Sequence, residues 1–212
     1  MIVGRPKGKI VTDLIDQLKP NTMIELGTYM GYSAILFGDA VRQNGGERYL
    51  SLELNSSLAT VANILIELAG LGDFVRVIVG RSDLSLHELF QSVELKSIEI
   101  MFIDHHKPAY TTDLKLCEHL GMIVPGSVLA ADNVLFPGNP PYLEYVRSTV
   151  VQKREAAKNG PTKCYNTDGI PERTLQLFMP HGDAPRFEVV GNPELVYHSE
   201  LRQPEGNRVG CL

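Results

Sequence analysis

The sequence predicts an α/β fold in which a mostly parallel sheet is covered by helices on both faces. Three observations carry that expectation. Five short apolar runs recur along the first two-thirds of the 212 residues, segments of helical spacing separate them, and capping or stop residues stand at the joins. Strands buried on both faces read as near-continuous apolar runs, and alternation with helices of this size implies parallel pairing through crossovers. Ligands of such a sheet bind beyond the carboxyl ends of its strands, which directs the search for chemistry to those ends.

Each element follows in order. The run at 22–26 opens the sheet, and a glycine-rich turn leads from it into a helix at 32–42. The strand at 49–54 hands over to a helix at 56–69, with Asn55-Ser56 placed to cap it and Gly70 placed to stop it. A strand at 74–79 precedes a helix at 84–91, and one at 98–104 precedes a helix at 112–120 that Gly121 ends. The strand at 127–132 completes the set, and a further helix begins near Pro141, with 152–158 as its solvated end. Residues 159–193 differ in composition, since nine of the 35 are Pro or Gly. They read as a long surface excursion with one strand, at 174–179, inside a single domain spanning 1–212.

Composition narrows the partners. The chain carries 20 Lys plus Arg against 25 Asp plus Glu, a net charge of −5, and its pI is near 5.7. Without a clustered basic face it suits neither a nucleic-acid backbone nor an anionic membrane surface. The three cysteines, Cys117, Cys164 and Cys211, are widely spaced, odd in number and form no C-x-x-C pair, so neither a disulfide framework nor a zinc knuckle is indicated. A reducing compartment fits, and the absence of a signal-like or membrane-spanning apolar stretch makes the cytoplasm the expected address.

Three strand ends carry candidate chemistry. The first runs into Glu25-Leu26-Gly27-Thr28-Tyr29-Met30-Gly31-Tyr32-Ser33, where glycines permit a sharp turn and the next helix offers its first amides. The turn lacks the Lys-Ser/Thr of a P-loop and departs from the G-x-G-x-x-G spacing, so a phosphate is poorly explained. The second strand ends in Glu53, 26 residues after Gly27, well placed to accept hydrogen bonds from a ribose. Strands four and five end in Asp104-His105-His106-Lys107 and Asp132-Asn133. Two carboxylates and an amide oxygen form a hard site suited to Mg²⁺, with coordination positions left for substrate oxygens. Lys107, three residues from Asp104, has its pKa lowered by such a cation and becomes a candidate general base. Asp132-Asn133 also reads as a simple turn, and His105-His106 fits a transition metal less well, since adjacent loop side chains rarely converge on one ion.

Taken together, Val3-Gly4 with Lys7-Gly8, the turn from Glu25 to Ser33, Glu53 with Asn55, Gly80 with Ser82, Asp104-His105 with Lys107, and Asp132-Asn133 with Pro137-Gly138 resemble the catechol O-methyltransferase family. The resemblance covers about residues 1–150 and implies a Rossmann-like class I methyltransferase sheet. It assigns Val3, Glu25, Gly27, Tyr29, Ser33, Glu53, Ser82, Asp104 and His105 to S-adenosylmethionine, with Glu53 on the ribose and Ser82 near the adenine. It assigns Mg²⁺ to Asp104, Asp132 and Asn133, proton removal to Lys107, and the acceptor pocket to Lys107, Asn133, His106, Pro137 and Glu200. The implied reaction is methyl transfer to one hydroxyl of a chelated catechol by a monomer or weak homodimer. His106 stands where the family has tryptophan, and the family's substrate-orienting Glu falls in Tyr197-His198-Ser199-Glu200, where Glu200, His198 or Ser199 fills the place. The sequence starts after the family's two N-terminal helices, so an S-adenosylmethionine-binding protein with impaired catalysis is the alternative. An NAD-dependent oxidoreductase explains the glycine turn and Glu53 but leaves the metal cluster idle.

Overall fold

The computed structural model describes residues 3–176 and 184–203. Strands β1 (Thr22–Leu26), β2 (Arg48–Glu53), β3 (Val75–Val79), β4 (Ile100–Ile103) and β5 (Val128–Ala131) match the expected runs to within two residues. They form one all-parallel sheet in the order β3-β2-β1-β4-β5. Strand side chains alternate between two cores. Ile24, Leu26, Leu50, Leu52, Met101 and Ile103 face one core, and Met23, Tyr49, Ile100 and Phe102 face the other. The first core is closed by α4 (Ser82–Gln91), α5 (Ala109–His119) and α6 (Pro140–Arg147), the second by α1 (Gly4–Leu18), α2 (Tyr32–Gln43) and α3 (Ser56–Leu68). The chain winds outward from β1 in one direction and from β4 in the other, so a crevice opens between their carboxyl ends.

Local signals act as expected at several joins. Asn55 accepts hydrogen bonds from the Ser57 and Leu58 amides at the start of α3, and Gly70 and Gly121 take positive φ after α3 and α5. Sequence analysis gave no element at α1. Its first turn holds Gly4, Pro6 and Gly8, which mask the buried Gly8, Val11, Ile15 stripe. Packing supplies what propensity lacks, and the two helices meet closely at Gly8, where a Cβ would lie 2.6 Å from the Leu36 side chain of α2 and displace it.

Two expected elements differ. The helix beginning near Pro141 is two helices, α6 and α7 (Val150–Ala157), because extended backbone at Ser148 and Thr149 lets Thr149 form a capping box with Gln152. The strand expected at 174–179 is not formed where it is described. Thr174 to Gln176 belong to α8 (Glu172–Gln176), and residues 177–179 lie outside the described residues.

The excursion is tied down at both ends. Phe187 stacks on His87 at 4.5 Å, Val189 enters the α4–α5 core, and the Thr162 amide donates to Val189 O at 3.1 Å. At the far end of α5, fully buried Glu118 accepts hydrogen bonds from Tyr145 Oη and Tyr197 Oη at 2.5 Å and from the Asn192 amide at 2.8 Å. Lys153 Nζ stands 3.6 Å from Glu118 and donates to Leu195 O at 3.0 Å. Beside β5 a cavity of about 640 Å³ separates the strand from residues 194–201. Among the described residues, no helix is long and apolar enough to cross a membrane.

Candidate active site

The turn after β1 forms one wall of the crevice. Gly27 has φ +100° and a Cβ there would lie 2.6 Å from Asp104 O, so β1 and β4 approach this closely only because residue 27 is glycine. Tyr29 takes φ +50°, and its amide donates to Glu53 Oε2 at 2.8 Å while the Asn55 amide donates to Oε1 at 2.8 Å. Glu53 is thus fixed at the tip of β2 with lone pairs left to accept two hydroxyls. Below it, fully buried Glu25 accepts a bond from Ser51 Oγ at 2.6 Å, and its Oε1 has no partner. Burial pushes the Glu25 carboxyl up to about 7, the Ser33, Ser51 and Tyr49 hydroxyls draw it down, and Asp104 pushes it up. A buried carboxylate oxygen without a partner is expensive unless a ligand satisfies it, and a cation suits it best.

The opposite wall holds the charged cluster. Lys107 is buried, 4% exposed, on the connection from β4 to α5. Its Nζ donates to Asp104 Oδ1 at 2.9 Å, to Tyr110 Oη and to Asp132 O at 3.5 Å. Burial lowers the Lys107 pKa and raises that of Asp104, and the attraction between the two opposes both shifts. The lowering that sequence analysis ascribed to a cation therefore arises from burial without one. Lys7 of α1 reaches across the crevice and donates from Nζ to Asp132 Oδ1 at 2.6 Å. Asn133 takes φ +59° and donates from Nδ2 to Phe136 O at 3.2 Å, which leaves its Oδ1 as the outward end of the amide. Among the described residues, no three His, Cys, Asp or Glu side chains gather into a metal cage. Two carboxylates with one amide oxygen nonetheless suit Mg²⁺, which takes few protein ligands and keeps water for the rest.

The structure brings Glu25, Gly27, Tyr29, Ser33 and Glu53 to one wall and Asp104, Lys107, Asp132 and Asn133 to the other. Val3 caps the start of α1 and is buried, and Ser82 opens α4. His105 turns toward α5, where Nε2 lies 2.8 Å from Asp113 Oδ2 and the ring stacks on Tyr110 at 5.1 Å. His106 is 8% exposed, with its ring 5.4 Å from that of Tyr165. Pro137 follows β5 in a short π-turn, Val134–Gly138, behind a cis peptide bond. Glu200 is not brought to the cluster. It is exposed and paired with Arg202 at 3.1 Å, because Tyr197 is anchored to Glu118 at the other end of α5.

Sequence analysis missed two supports. Asn139 is 1% exposed and donates from Nδ2 to Lys107 O at 2.8 Å, and Tyr110 is wholly buried with its hydroxyl 3.3 Å from Asp132 O. Tyr110 lies three residues beyond Lys107, a spacing that places it on the same helical face, whereas Asn139 leaves no local signal.

Residues 24–134 match the family described as a methyltransferase domain. The catechol O-methyltransferases of Bos taurus and Sus scrofa are each 38% identical to the chain over 147 residues. That stretch is 69% of this chain, 53% of the bovine protein and 78% of the porcine one. The chain belongs to the catechol O-methyltransferase family. It spans about half the length of several curated relatives, as in the 56% coverage of catechol O-methyltransferase B of Danio rerio. Among solved structures, an O-methyltransferase of Bacillus cereus in complex with SAH superposes with a TM-score of 0.58 at 23% identity, covering 84% of this chain and 70% of that one. A Streptomyces achromogenes O-methyltransferase of tomaymycin synthesis, in complex with SAM, gives 0.58 at 23%, covering 68% and 69%. These likenesses bear on the fold alone, that of a class I methyltransferase.

Proposed function

We propose that this chain is a catechol O-methyltransferase that uses S-adenosylmethionine and Mg²⁺. The observation that carries the reading is the buried Lys107 amine, which donates to Asp104 Oδ1 at 2.9 Å and to Asp132 O at 3.5 Å where the adjacent strands β4 and β5 end. Its relatives in the family bear that activity in their names. In this reading Val3, Glu25, Gly27, Tyr29, Ser33, Glu53, Ser82, Asp104 and His105 line the donor site. Asp104, Asp132 and the Asn133 amide oxygen hold the metal, and Asn133, His106 and Pro137 border the acceptor. Bound there, Mg²⁺ supplies the charge that acidifies two vicinal hydroxyls, and S-adenosylmethionine supplies an electrophilic methyl.

The protein's own residues do the rest. Lys107, whose pKa burial lowers, accepts the proton of the attacking hydroxyl at Nζ. Asn139 holds the Lys107 carbonyl and Tyr110 its ammonium, so the base is fixed before substrate arrives. Glu53 fixes the nucleoside end of the donor, and Glu25 opposes its positive charge. With donor and acceptor bound, methyl transfer from sulfur to oxygen would release one proton, which Lys107 would take up. Alignment of this kind contributes about 7 to 11 kcal/mol where it is complete. Free Cys117 and Cys164 fit a reducing, cytoplasmic setting, and the net charge of −5 fits a small-molecule acceptor over a nucleic acid.

Incubation with S-adenosylmethionine and a catechol, with Mg²⁺ or with chelator, tests the reading by mass of the product. Monomethyl ether formed only with metal is expected. Equal yield in chelator overturns the metal role, and no product with any catechol leaves a donor-binding protein without catalysis.

A further inference from the structure

The excursion, which offered no motif in the sequence, meets the start of α4 through Tyr165, Ala184 and Arg186. It is clipped to the start of α4 by one guanidinium. Arg81 grips Asp83 in a fork, Nε to Oδ1 at 3.1 Å and Nη2 to Oδ2 at 2.9 Å, and donates from Nη2 to Tyr165 Oη at 3.2 Å and to Ala184 O at 3.1 Å. Asp83 Oδ2 in turn accepts the Arg186 amide at 2.8 Å. Both limbs of the excursion thus meet at Arg81, beside Ser82. At the other side Gly169, with φ +71°, sits so close to Pro140 that a Cβ would lie 3.0 Å from its ring, and Ile170 is buried. Between these two seats the Tyr165 and His106 rings meet in a T-shaped contact, at 5.4 Å between centroids and 78° between planes.

We infer that residues 162–170 form part of the acceptor pocket and that Tyr165 is a positioning residue, holding the His106 ring as a flat wall beside Lys107. The inference rests on the catechol reading above. An imidazole alone is small and readily hydrated. Braced in a T-shaped contact by a phenol ring that is itself hydrogen-bonded to Arg81, it becomes a fixed planar surface of the kind an aromatic acceptor stacks on. Specificity for the acceptor ring then depends on a segment that lies outside the 24–134 methyltransferase match.

The test combines Tyr165→Ala, Tyr165→Phe, His106→Ala and the double alanine variant in the full chain. Catechol KM and kcat are measured at saturating donor, and S-adenosylhomocysteine affinity is measured by calorimetry. Loss of one aromatic pair predicts a KM raised about three- to tenfold in Tyr165→Ala, with kcat and donor affinity within about twofold. Tyr165→Phe, which keeps the ring but loses the Arg81 hydrogen bond, raises KM less than Tyr165→Ala. In the His106→Ala background the Tyr165 substitution adds nothing, because its effect passes through His106. An unchanged KM in Tyr165→Ala, the same increase without His106, or donor affinity that falls in step with KM overturns the inference. A wild-type protein that methylates no catechol overturns the functional reading and this inference together. An active wild type with indifferent variants overturns only the inference.

Discussion

Glu25→Gln isolates the carboxyl buried on β1 beneath the glycine turn. The Glu25 carboxyl, wholly buried, is pushed from 4.5 up to about 7. Its folded-state pKa is raised, so the unfolded chain ionises first as pH rises. The group therefore costs stability progressively from about pH 4.5 until the folded form has ionised above about 7. A shift of this size amounts to about 3 kcal/mol in all, of which about 1 kcal/mol falls between pH 6 and 8. Glutamine keeps the shape and the hydrogen bond from Ser51 but does not titrate. The ligand-free wild type should lose about 2 to 5 °C of melting temperature relative to Glu25→Gln between pH 6 and 8. Donor affinity should show the opposite slope. A cation beside Glu25 favours its ionised form, so S-adenosylmethionine binds the wild type more tightly as pH rises to about 7, and the Gln variant lacks that rise. Parallel melting curves for the two proteins across this range, measured by calorimetry without ligand, would refute the assignment of a buried, strained carboxyl to Glu25.

Three further substitutions probe the charged wall. Asp132→Ala should lower turnover by at least about a hundredfold while leaving S-adenosylhomocysteine affinity within about twofold, since a metal ligand and not a donor contact is removed. Lys107→Ala should slow methyl transfer most at neutral pH and recover in part as alkali ionises the catechol without a base, a trend read from the rate against pH. Lys7→Ala removes the ammonium that competes for Asp132 Oδ1 and should tighten Mn²⁺ binding about three- to tenfold by calorimetry, with no catechol present. Unchanged or weaker Mn²⁺ binding would place the metal away from Asp132.

The strands were legible because both faces of this sheet are buried, which leaves near-continuous apolar runs such as Met23-Ile24 and Ile100-Met101-Phe102-Ile103. The cluster was legible for a related reason. Asp104, Lys107, Asp132 and Asn133 follow directly on adjacent strands, so parallel topology alone brings them together. Helix α1 was not legible, because its glycines and proline suit close packing on α2 and hide its apolar stripe. Tyr165 and Arg81 are 84 positions apart, and a contact of that span leaves no local pattern. The same holds for Glu200. Its place was implied by the resemblance to the family's substrate-orienting Glu, whereas its position follows from Tyr197 bonding to Glu118 at the far end of α5.

The central claim is that two adjacent oxygens of the acceptor are needed because Asp104, Asp132 and Asn133 hold one metal beside Lys107. The direct measurement compares initial rates of methyl transfer from S-adenosylmethionine to catechol and to phenol at equal concentration, with Mg²⁺ present. Catechol should react at least about a hundredfold faster, and the preference should vanish when the metal is removed by chelator. Phenol methylated as fast as catechol, or a preference that persists without metal, would contradict the account.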